Sequence, residues 1–427
     1  MLPLVLLCGM LAGPVEDPTS TKDDERLKRQ VVILVGKLNN DSSAVRVEAE
    51  KALLKLGPAI LDLLPPVTDN TPAEVKQRLD GVRKALESAA AESAGQAALV
   101  TLQGEMKLSA ALAAIKKQTG NEIVDYRQQF GQQIVDPTLK LELKDASFWE
   151  AIDDVLDRSG TNVYAYGGEG ALAIVAVDEQ AVPRVGRAHY SGLFRFEGLS
   201  VESIRNLRRR DGGSMNLTME VAWEPRSKPI ALELPFDKMV AVDENGNNVE
   251  LTGQQQRFEV AVQADAVATE LRLPFGLPSR EIKKIASLKG ELVALVPGRR
   301  VKFIFDDIKN AQAIEKENGG VTVVFERVRK NADLYELRMR LRFVKSANAL
   351  DSHRDWIYRN KAVLVDSKGK EYQNAALDAA RTADNEAALT FLFDVQEDLK
   401  GYKFVYESPA LILSLPVPFE IKDIDLP

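Results

Sequence analysis

The chain repeats one phrase, and this repeat limits what its C-terminal half can fold into. Residues 238–247 read KMVAVDENGN, and residues 361–370 read KAVLVDSKGK, 123 positions later. Around both copies, apolar and polar residues alternate over several short stretches. A period of two is typical of strands with one buried face. The pattern therefore predicts two copies of one β-rich unit, over about 185–297 and 298–427.

Each copy is predicted to be an antiparallel sandwich of immunoglobulin-like size, because its alternating runs are short and closely spaced. Trp223 and Phe343 occupy equivalent positions and are expected to anchor the two cores. The only cysteine is Cys8, so neither copy can hold a disulfide. Pro297 and Gly298 usually interrupt strands, and they predict a joint between the copies.

Composition narrows the class of protein. A length of 427 residues predicts roughly three or four domains. A formal net charge of −7 argues against general nucleic-acid binding, which usually requires a basic surface. His189 and His353 are the only histidines, which leaves little material for a histidine metal site.

Residues 1–17 are a candidate signal segment. The first 13 residues, MLPLVLLCGMLAG, are apolar, but a transmembrane helix needs about 20 such residues. The basic stretch that usually precedes the apolar part of a secretory signal is missing. An export signal is the favoured interpretation. A buried N-terminal segment and a lipid anchor at Cys8 are the alternatives, and Leu7 is a poor neighbour for lipid attachment.

Residues 22–95 are predicted to be helical. A helix capped near Ser42 ends at Gly57-Pro58, a short helix follows at 59–64, and another runs from Thr71 to about Ser93. The stretch DSSAVRVEAEKALLKLG resembles a HEAT repeat through Asp41, Val45, Arg46, Ala49, Leu53, Leu56 and Gly57. A solenoid needs about three repeats, and fewer are present here. The resemblance thus implies a small helical cap or docking arm, and an unrelated helical bundle fits equally well.

Residues 98–178 carry strand and helix signals in the order βαββαββ. The first helix ends at Gly120, and the second opens with a capping box of Ser147 and Glu150. Gly167-Gly168 separates the last two strands, as in a hairpin.

This stretch resembles the short N-terminal domain shared by secretins and TonB-dependent receptors. The resemblance is carried by the helix end Gln118-Thr119-Gly120, by LELKDASFWEAID, and by the helix end Arg158-Ser159-Gly160. It implies an extracytoplasmic module that docks onto other proteins and is not catalytic. The channel function of those families is not implied, because the long amphipathic strands of a barrel are missing. The wider chain, with its WEPR phrase at 223–226, resembles uncharacterised bacterial envelope proteins.

The loop from Asp243 to Asn247 has two interpretations. Its oxygen-bearing side chains at alternate positions are typical of the start of a calcium loop, but Asn248 and Gln254 replace the glycine and glutamate that a full loop requires. The sister loop after Asp366 carries lysines instead of ligands. A tight turn is therefore favoured, and no metal is predicted.

Two segments in which the copies differ contain candidate contacts to a partner. The first consists of Arg205, Arg208, Arg209 and Arg210, and the second contains His353, Arg354, Trp356, Tyr358 and Arg359. The arginines are predicted to lie at the end of a short helix. They either contact an anionic partner or remain solvated, and the solvated helix end is the favoured interpretation. For the second segment packing is favoured over a partner contact, and a proton-transfer site is the weakest interpretation.

The predicted fold is a multidomain α+β protein: a helical segment, a small βαββαββ domain and two tandem antiparallel β-sandwiches. We expect a non-catalytic extracytoplasmic adaptor or scaffold that binds other proteins of the cell envelope. It should need no cofactor and bind no nucleic acid, and no integral membrane span is predicted. A protein that binds the cell wall or carbohydrate is the second hypothesis, and an enzyme with an unrecognised site is the third.

Overall fold

The computed structural model describes most of the chain. It covers residues 18–68, 70–164, 167–168, 170–177, 182–208, 213–253, 257–262, 265–344, 350 and 355–427. The candidate signal segment 1–17 lies outside the described residues. Contacts within the chain divide it after Ala90 into two compact units, which are described separately.

The first unit is helical, as predicted for residues 22–95. Its elements are α1 Pro18–Lys37, α2 Ser43–Lys55, a 3₁₀-helix Pro58–Leu63, and α3 Ala73–Ala94. Gly57 ends α2 with a φ of +75°, a conformation that glycine adopts without strain. Val75, Leu79, Val82 and Leu86 form the buried stripe of α3 at helical spacing. The HEAT resemblance stays a prediction.

The second unit begins with a module of two helices and two small sheets, hereafter the N-terminal module. Its elements are β1 Leu99–Lys107, α4 Leu108–Thr119, β2 Ile123–Asp125, β3 Thr138–Ser147, α5 Phe148–Ser159, β4 Thr161–Tyr164 and β5 Leu172–Ala176. Strand β1 pairs with β3, and β5 lies between β2 and β4. Gly120 ends α4 in the left-handed conformation, and Ser147 and Glu150 form the predicted capping box.

The rest of the unit is mostly antiparallel sheet. Its strands are β6 His189–Ser191, β7 Phe194–Arg205, β8 Gly213–Trp223, β9 Ala231–Pro235, β10 Val240–Asp243, β11 Arg257–Ala261, β12 Ala268–Phe275, β13 Lys284–Phe305, β14 Ile314–Asn318, β15 Val321–Asn331, β16 Leu334–Phe343, β17 Ala362–Val365, β18 Glu371–Gln373, β19 Ala376–Ala383, β20 Glu386–Phe393 and β21 Lys403–Asp425. Short 3₁₀-helices occur at Phe236–Lys238 and Asp355–Arg359.

These strands form three sheets around two hydrophobic cores. A four-stranded sheet has the order β12-β8-β7-β6, and a five-stranded sheet has the order β14-β15-β16-β20-β19. A seven-stranded sheet has the order β11-β9-β13-β21-β17-β18, with β10 also paired to β13. The four-stranded sheet and one half of the seven-stranded sheet supply the first core, which contains Trp223. The five-stranded sheet and the other half supply the second core, which contains Phe343.

Strands β13 and β21 belong to both cores. They are 22 and 23 residues long and pair from Lys284 opposite Asp425 to Phe305 opposite Phe404. Phe419, near the end of the ladder where Lys284 faces Asp425, lies in the first core. Phe404, at the opposite end, lies in the second core. The two cores are therefore joined by continuous strands and not by a linker.

The expectation that Pro297 and Gly298 interrupt the strands is wrong. Both residues lie inside β13, and Pro297 is paired with Ile412. Proline has no N–H to donate to a neighbouring strand, so it is tolerated where a strand has no second neighbour. Strand β9 pairs with residues 293–295 of β13, and Pro297 lies past this paired stretch. Gly298 allows a close approach, because a Cβ there would lie 3.0 Å from the Cβ of Leu411.

The repeated phrase forms the same strand and turn twice. Strand β10 precedes a turn in which the Asp243 carboxylate accepts hydrogen bonds from the backbone N–H groups of Asn245 and Asn247, at 2.8 and 2.9 Å. After β17, Asp366 accepts the equivalent bonds from Lys368 and Lys370, at the same two distances. The backbone follows the predicted turn in both copies.

The chain is thus a mixed α+β protein that consists mostly of antiparallel sheet with a few helices. Within the part of the chain that the structure describes, no helix is both long and apolar enough to cross a membrane.

Candidate functional site

The N-terminal module exposes an aromatic patch, defined as Phe130, Ile134, Val135 and Tyr164. Their exposed fractions are 52%, 54%, 51% and 39%. The first three lie on the loop between β2 and β3, and the Phe130 ring meets the Tyr164 ring edge-on at a centroid distance of 5.5 Å. The two rings are in contact, and exposed apolar side chains that lie together are characteristic of interaction surfaces.

Hydrogen bonds hold the loop that carries this patch in place. The nearly buried Arg127 guanidinium donates to the Asp125 carboxylate at 2.6 Å and to the Val135 carbonyl at 2.7 Å. These bonds to Arg127 lower the pKa of Asp125 below its ordinary value. The Gln132 side chain accepts a bond from the Ala176 N–H of β5. The apolar side chains are therefore presented from a loop that is tied to the sheet.

A second feature is a cleft within residues 170–409, hereafter the cationic cleft. Its volume is about 330 Å³, and turns of both cores contribute to its wall. The lining residues that bear on its chemistry are Trp223, Lys228, Asp265, Arg300, Trp356 and Arg359. An adjoining cavity of about 250 Å³ shares Lys228 and Arg300 and is also lined by Ser227. The Ser227 side chain is buried, and its hydroxyl has no hydrogen-bond partner among the described residues.

The WEPR phrase joins the N-terminal module to the sheets. The fully buried Glu224 carboxylate accepts hydrogen bonds from the Ala98 N–H at 2.7 Å, the Asn121 amide at 2.9 Å and the Arg226 guanidinium at 2.6 Å. Arg226 also donates its backbone N–H to the Asn121 side chain. This link fixes the turn at 224–230, which forms one wall of the cleft.

A buried ionic network makes a second link between the module and the four-stranded sheet. Arg195 of β7 contacts Asp153 of α5 at 2.8 Å and Glu220 of β8 at 2.5 Å, and all three side chains are largely or fully buried. The Arg195 guanidinium lies 4.6 Å from the centroid of the Trp149 ring. Burial raises the pKa of Asp153, although Arg195 opposes this shift.

Of the candidate contacts of the first copy, the described residues Arg205 and Arg208 do not line the cleft. The expected short helix is wrong: Arg205 is the last residue of β7, and Arg208 follows in an exposed turn. A strand forms because residues 194–205 pair with β8, and this pairing outweighs local helix signals. Arg205 donates to the Pro278 carbonyl at 3.2 Å. Arg209 and Arg210 lie outside the described residues.

The candidate contacts of the second copy are divided between core, surface and cleft. Trp356 is 7% exposed and packs edge-on against Phe343 at 5.8 Å, so its side chain belongs mainly to the second core. Tyr358 is 48% exposed and donates weakly to the Ala379 carbonyl at 3.4 Å. Arg359 lines the cationic cleft. His353 and Arg354 lie outside the described residues.

Sequence reasoning singled out Trp223, Trp356 and Arg359 without placing them in one site, and it missed Lys228 and Arg300 of the cleft wall. Lys228 and Arg300 lie far apart in the chain, and only the crossing of β13 between the two cores brings them together. The WEPR phrase was the one available signal, since it drew attention to Glu224 and Arg226. Among the described residues, no group of three or more histidine, cysteine, aspartate or glutamate side chains is arranged to hold a metal ion.

Comparisons with known proteins add little. No protein-family model matches the chain, and no curated protein matches it. One solved structure, the conserved domain protein from Bacillus anthracis, is 9% identical and covers 55% of this chain and 89% of its own length. Its TM-score is 0.18, which supports no conclusion about fold or function.

Proposed function

We propose that the chain is a non-catalytic adaptor that binds another protein of the cell envelope through the aromatic patch. The observation that carries the proposal is the exposure of Phe130, Ile134 and Val135 on a loop held by Arg127. A fixed loop loses little conformational entropy on binding, and aromatic residues contribute a large share of the energy at protein interfaces.

The proposed layout is a helical HEAT-like arm at 22–95, a docking domain of the secretin and TonB-receptor type at 98–178, and two β-sandwiches that share strands β13 and β21, in place of separate copies divided at 297/298. The sheet arrangement around two cores supports the sandwich interpretation. We further propose that residues 1–17 direct export to the periplasm or another extracytoplasmic compartment. Cell fractionation with sequencing of the mature N-terminus tests this localisation, and an intact N-terminus on a cytoplasmic protein would contradict it.

Site-specific photo-cross-linking tests the adaptor proposal. A benzophenone amino acid replaces Phe130 in the full chain, and in a matched control it replaces Val240, which is also 52% exposed but lies on β10. After illumination of intact cells, we expect a discrete cross-linked product from position 130 whose second protein is identified by mass spectrometry. Position 240 should not give this product.

A second variant, Ile134→Ser, should weaken the same cross-link because it removes apolar area from the patch. Equal labelling from positions 130 and 240, or no product from position 130, would refute the adaptor proposal. Specific retention of the purified chain on cell-wall polysaccharide, without a protein cross-link, would favour the second hypothesis of a carbohydrate-binding protein.

A further inference from the structure

The cationic cleft has the size and composition of a small-ligand site. Its volume of about 330 Å³ falls within the range of known ligand pockets, about 300–1,000 Å³. Its wall combines apolar residues, among them Trp223, Pro229 and Trp356, with a few polar side chains. Apolar groups beside the charged ones lower the local polarity, and this strengthens electrostatic interactions at the wall.

The net charge of the cleft wall is positive, whereas the net charge of the whole chain is negative. The chain carries a formal net charge of −7. Among the described residues, the charged side chains on the wall are the cations Lys228, Arg300, Arg359 and Lys361 and the anion Asp265. The wall therefore carries a local excess of positive charge, which attracts anions to the cleft.

The two arginines differ from the two lysines in their partners. Lys228 contacts Asp265 at 3.5 Å, and Lys361 contacts Glu371 at 2.8 Å. Among the described residues, Arg300 donates to the Asn360 side-chain oxygen at 3.3 Å, and Arg359 donates to the Val262 carbonyl at 2.5 Å. These acceptors are neutral, so neither guanidinium charge is balanced by a contacting carboxylate within that part of the chain.

The guanidinium of Arg300 is oriented from a buried frame. Its acceptor, Asn360, is 7% exposed and donates to the Tyr406 hydroxyl at 2.9 Å. Tyr406 is fully buried on β21, inside the second core. Arg300 itself lies on β13, opposite Pro409 of β21. A binding group held by rigid strands and buried hydrogen bonds needs little reorganisation when a ligand arrives.

We propose that the cleft binds a small organic oxyanion through Arg300 and Arg359. A guanidinium presents paired N–H donors that match the oxygens of a phosphate or a carboxylate. The apolar wall suits a hydrocarbon or ring next to the anionic group. This site is separate from the aromatic patch and does not depend on the proposed adaptor function.

Titration of the full chain with simple probes tests the proposal. Phenyl phosphate and benzoate are the two anionic arms, and benzyl alcohol is the neutral control. Two of the three tryptophans, Trp223 and Trp356, line the cleft, so ligand binding should change tryptophan fluorescence, and calorimetry gives the affinity. We expect saturable binding of at least one anion and none of benzyl alcohol. The tighter anion distinguishes a phosphate ligand from a carboxylate ligand.

Paired variants locate the binding. Arg300→Gln with Arg359→Gln should weaken binding of the preferred anion by about tenfold or more. Arg257→Gln with Arg272→Gln removes the same charge from β11 and β12, outside the cleft, and should leave the affinity unchanged. Equal melting temperatures of the two double variants establish that both are folded. An unchanged affinity in the cleft variant, or no saturable binding of either anion to the wild-type chain, would overturn the proposal. A Phe130→Ser chain should bind the anion normally, which separates this outcome from failure of the adaptor proposal.

Discussion

Asp243 and Asp366 hold the two turns of the repeated phrase with the same set of hydrogen bonds. The backbone N–H of Asn247 is the main cause that lowers the pKa of Asp243, and the N–H of Lys370 is the main cause for Asp366. Comparison of the two copies was enough to predict these turns, because the aspartate and glycine recur while the intervening side chains change. A metal ligand set would not tolerate the exchange of Asn247 for Lys370.

The first prediction concerns the double variant Asp243→Asn with Asp366→Asn. Its melting temperature at neutral pH should fall by roughly 1–3 °C, because an amide oxygen accepts N–H bonds less strongly than a carboxylate. Since the folded-state pKa lies below the unfolded value of about 3.9, the stabilisation is complete above that value and is lost as the pH falls through the folded pKa. The difference in the free energy of unfolding between variant and wild type, measured by urea unfolding, should therefore shrink below about pH 4. A difference that stays constant into acid, or one that Asp333→Asn in the exposed β15–β16 turn reproduces, would contradict this account.

The cleft shows where residue-level reasoning from the sequence stops. Arg359 was singled out because it lies in a segment that differs between the copies. Its companion Arg300 gave no signal, because it sits in an alternating strand pattern, 59 positions away. Only the hydrogen bond from Arg300 to Asn360 reveals that the two arginines share one wall.

At the scale of single elements, local signals were reliable wherever a cap or a turn fixed the backbone. Gly120 and the Ser147–Glu150 capping box gave the ends of α4 and α5. The errors occurred where strand pairing outweighed local preference. Residues 194–205 pair with β8 instead of forming a helix, and Pro297-Gly298 is carried through by β13 because β21 pairs on both sides of it. Such pairing partners lie more than a hundred residues away in the second case, and no local pattern encodes them.

The β13–β21 pair gives a prediction at this scale, for Gly290→Ala. Gly290 lies opposite Phe419, and a Cβ at Gly290 would come within 2.5 Å of Cζ in the Phe419 ring. That ring cannot retreat easily, because it stacks on the fully buried Phe196 at a centroid distance of 4.7 Å. We expect Gly290→Ala to lower the free energy of unfolding, measured in urea, by about 1–3 kcal/mol.

Two controls separate overpacking from a general effect of glycine replacement. Gly198→Ala on β7 should cost little, because a Cβ there would be 3.9 Å from its nearest neighbours. In a chain that already carries Phe419→Leu, the cost of Gly290→Ala should largely disappear. If the losses in the free energy of unfolding from Gly290→Ala and Phe419→Leu are additive, the Phe419 ring is not the cause of the cost at Gly290.

For the whole molecule, the repeat predicted two similar units but not the way in which they are joined. Each copy ends in a long strand with a comparable pattern, and a joint at Pro297-Gly298 would leave the two copies independent. In the structure β13 continues into the second core, and β21 returns to the first. The sequence pattern could not predict that the two long strands are shared between the cores. Apolar and polar residues alternate in both halves of each strand, and this alternation does not show which core a half faces.

The last prediction follows from these shared strands and concerns a chain that ends at Ala410. The truncation removes Val417, Phe419, Ile421 and Ile424 from the first core, and burial of each such side chain contributes about 1.5–3 kcal/mol. The second core keeps Phe404 and Tyr406, which lie before the cut. In hydrogen exchange, we therefore expect amides of β8 and β12 to lose protection while those of β16 and β20 keep it. A chain that ends at Asp425 retains all of β21 and should exchange like the full-length protein. Equal protection of β8 and β16 after truncation at Ala410 would mean that the first core does not depend on the returning strand, and that the two copies fold as separate domains after all.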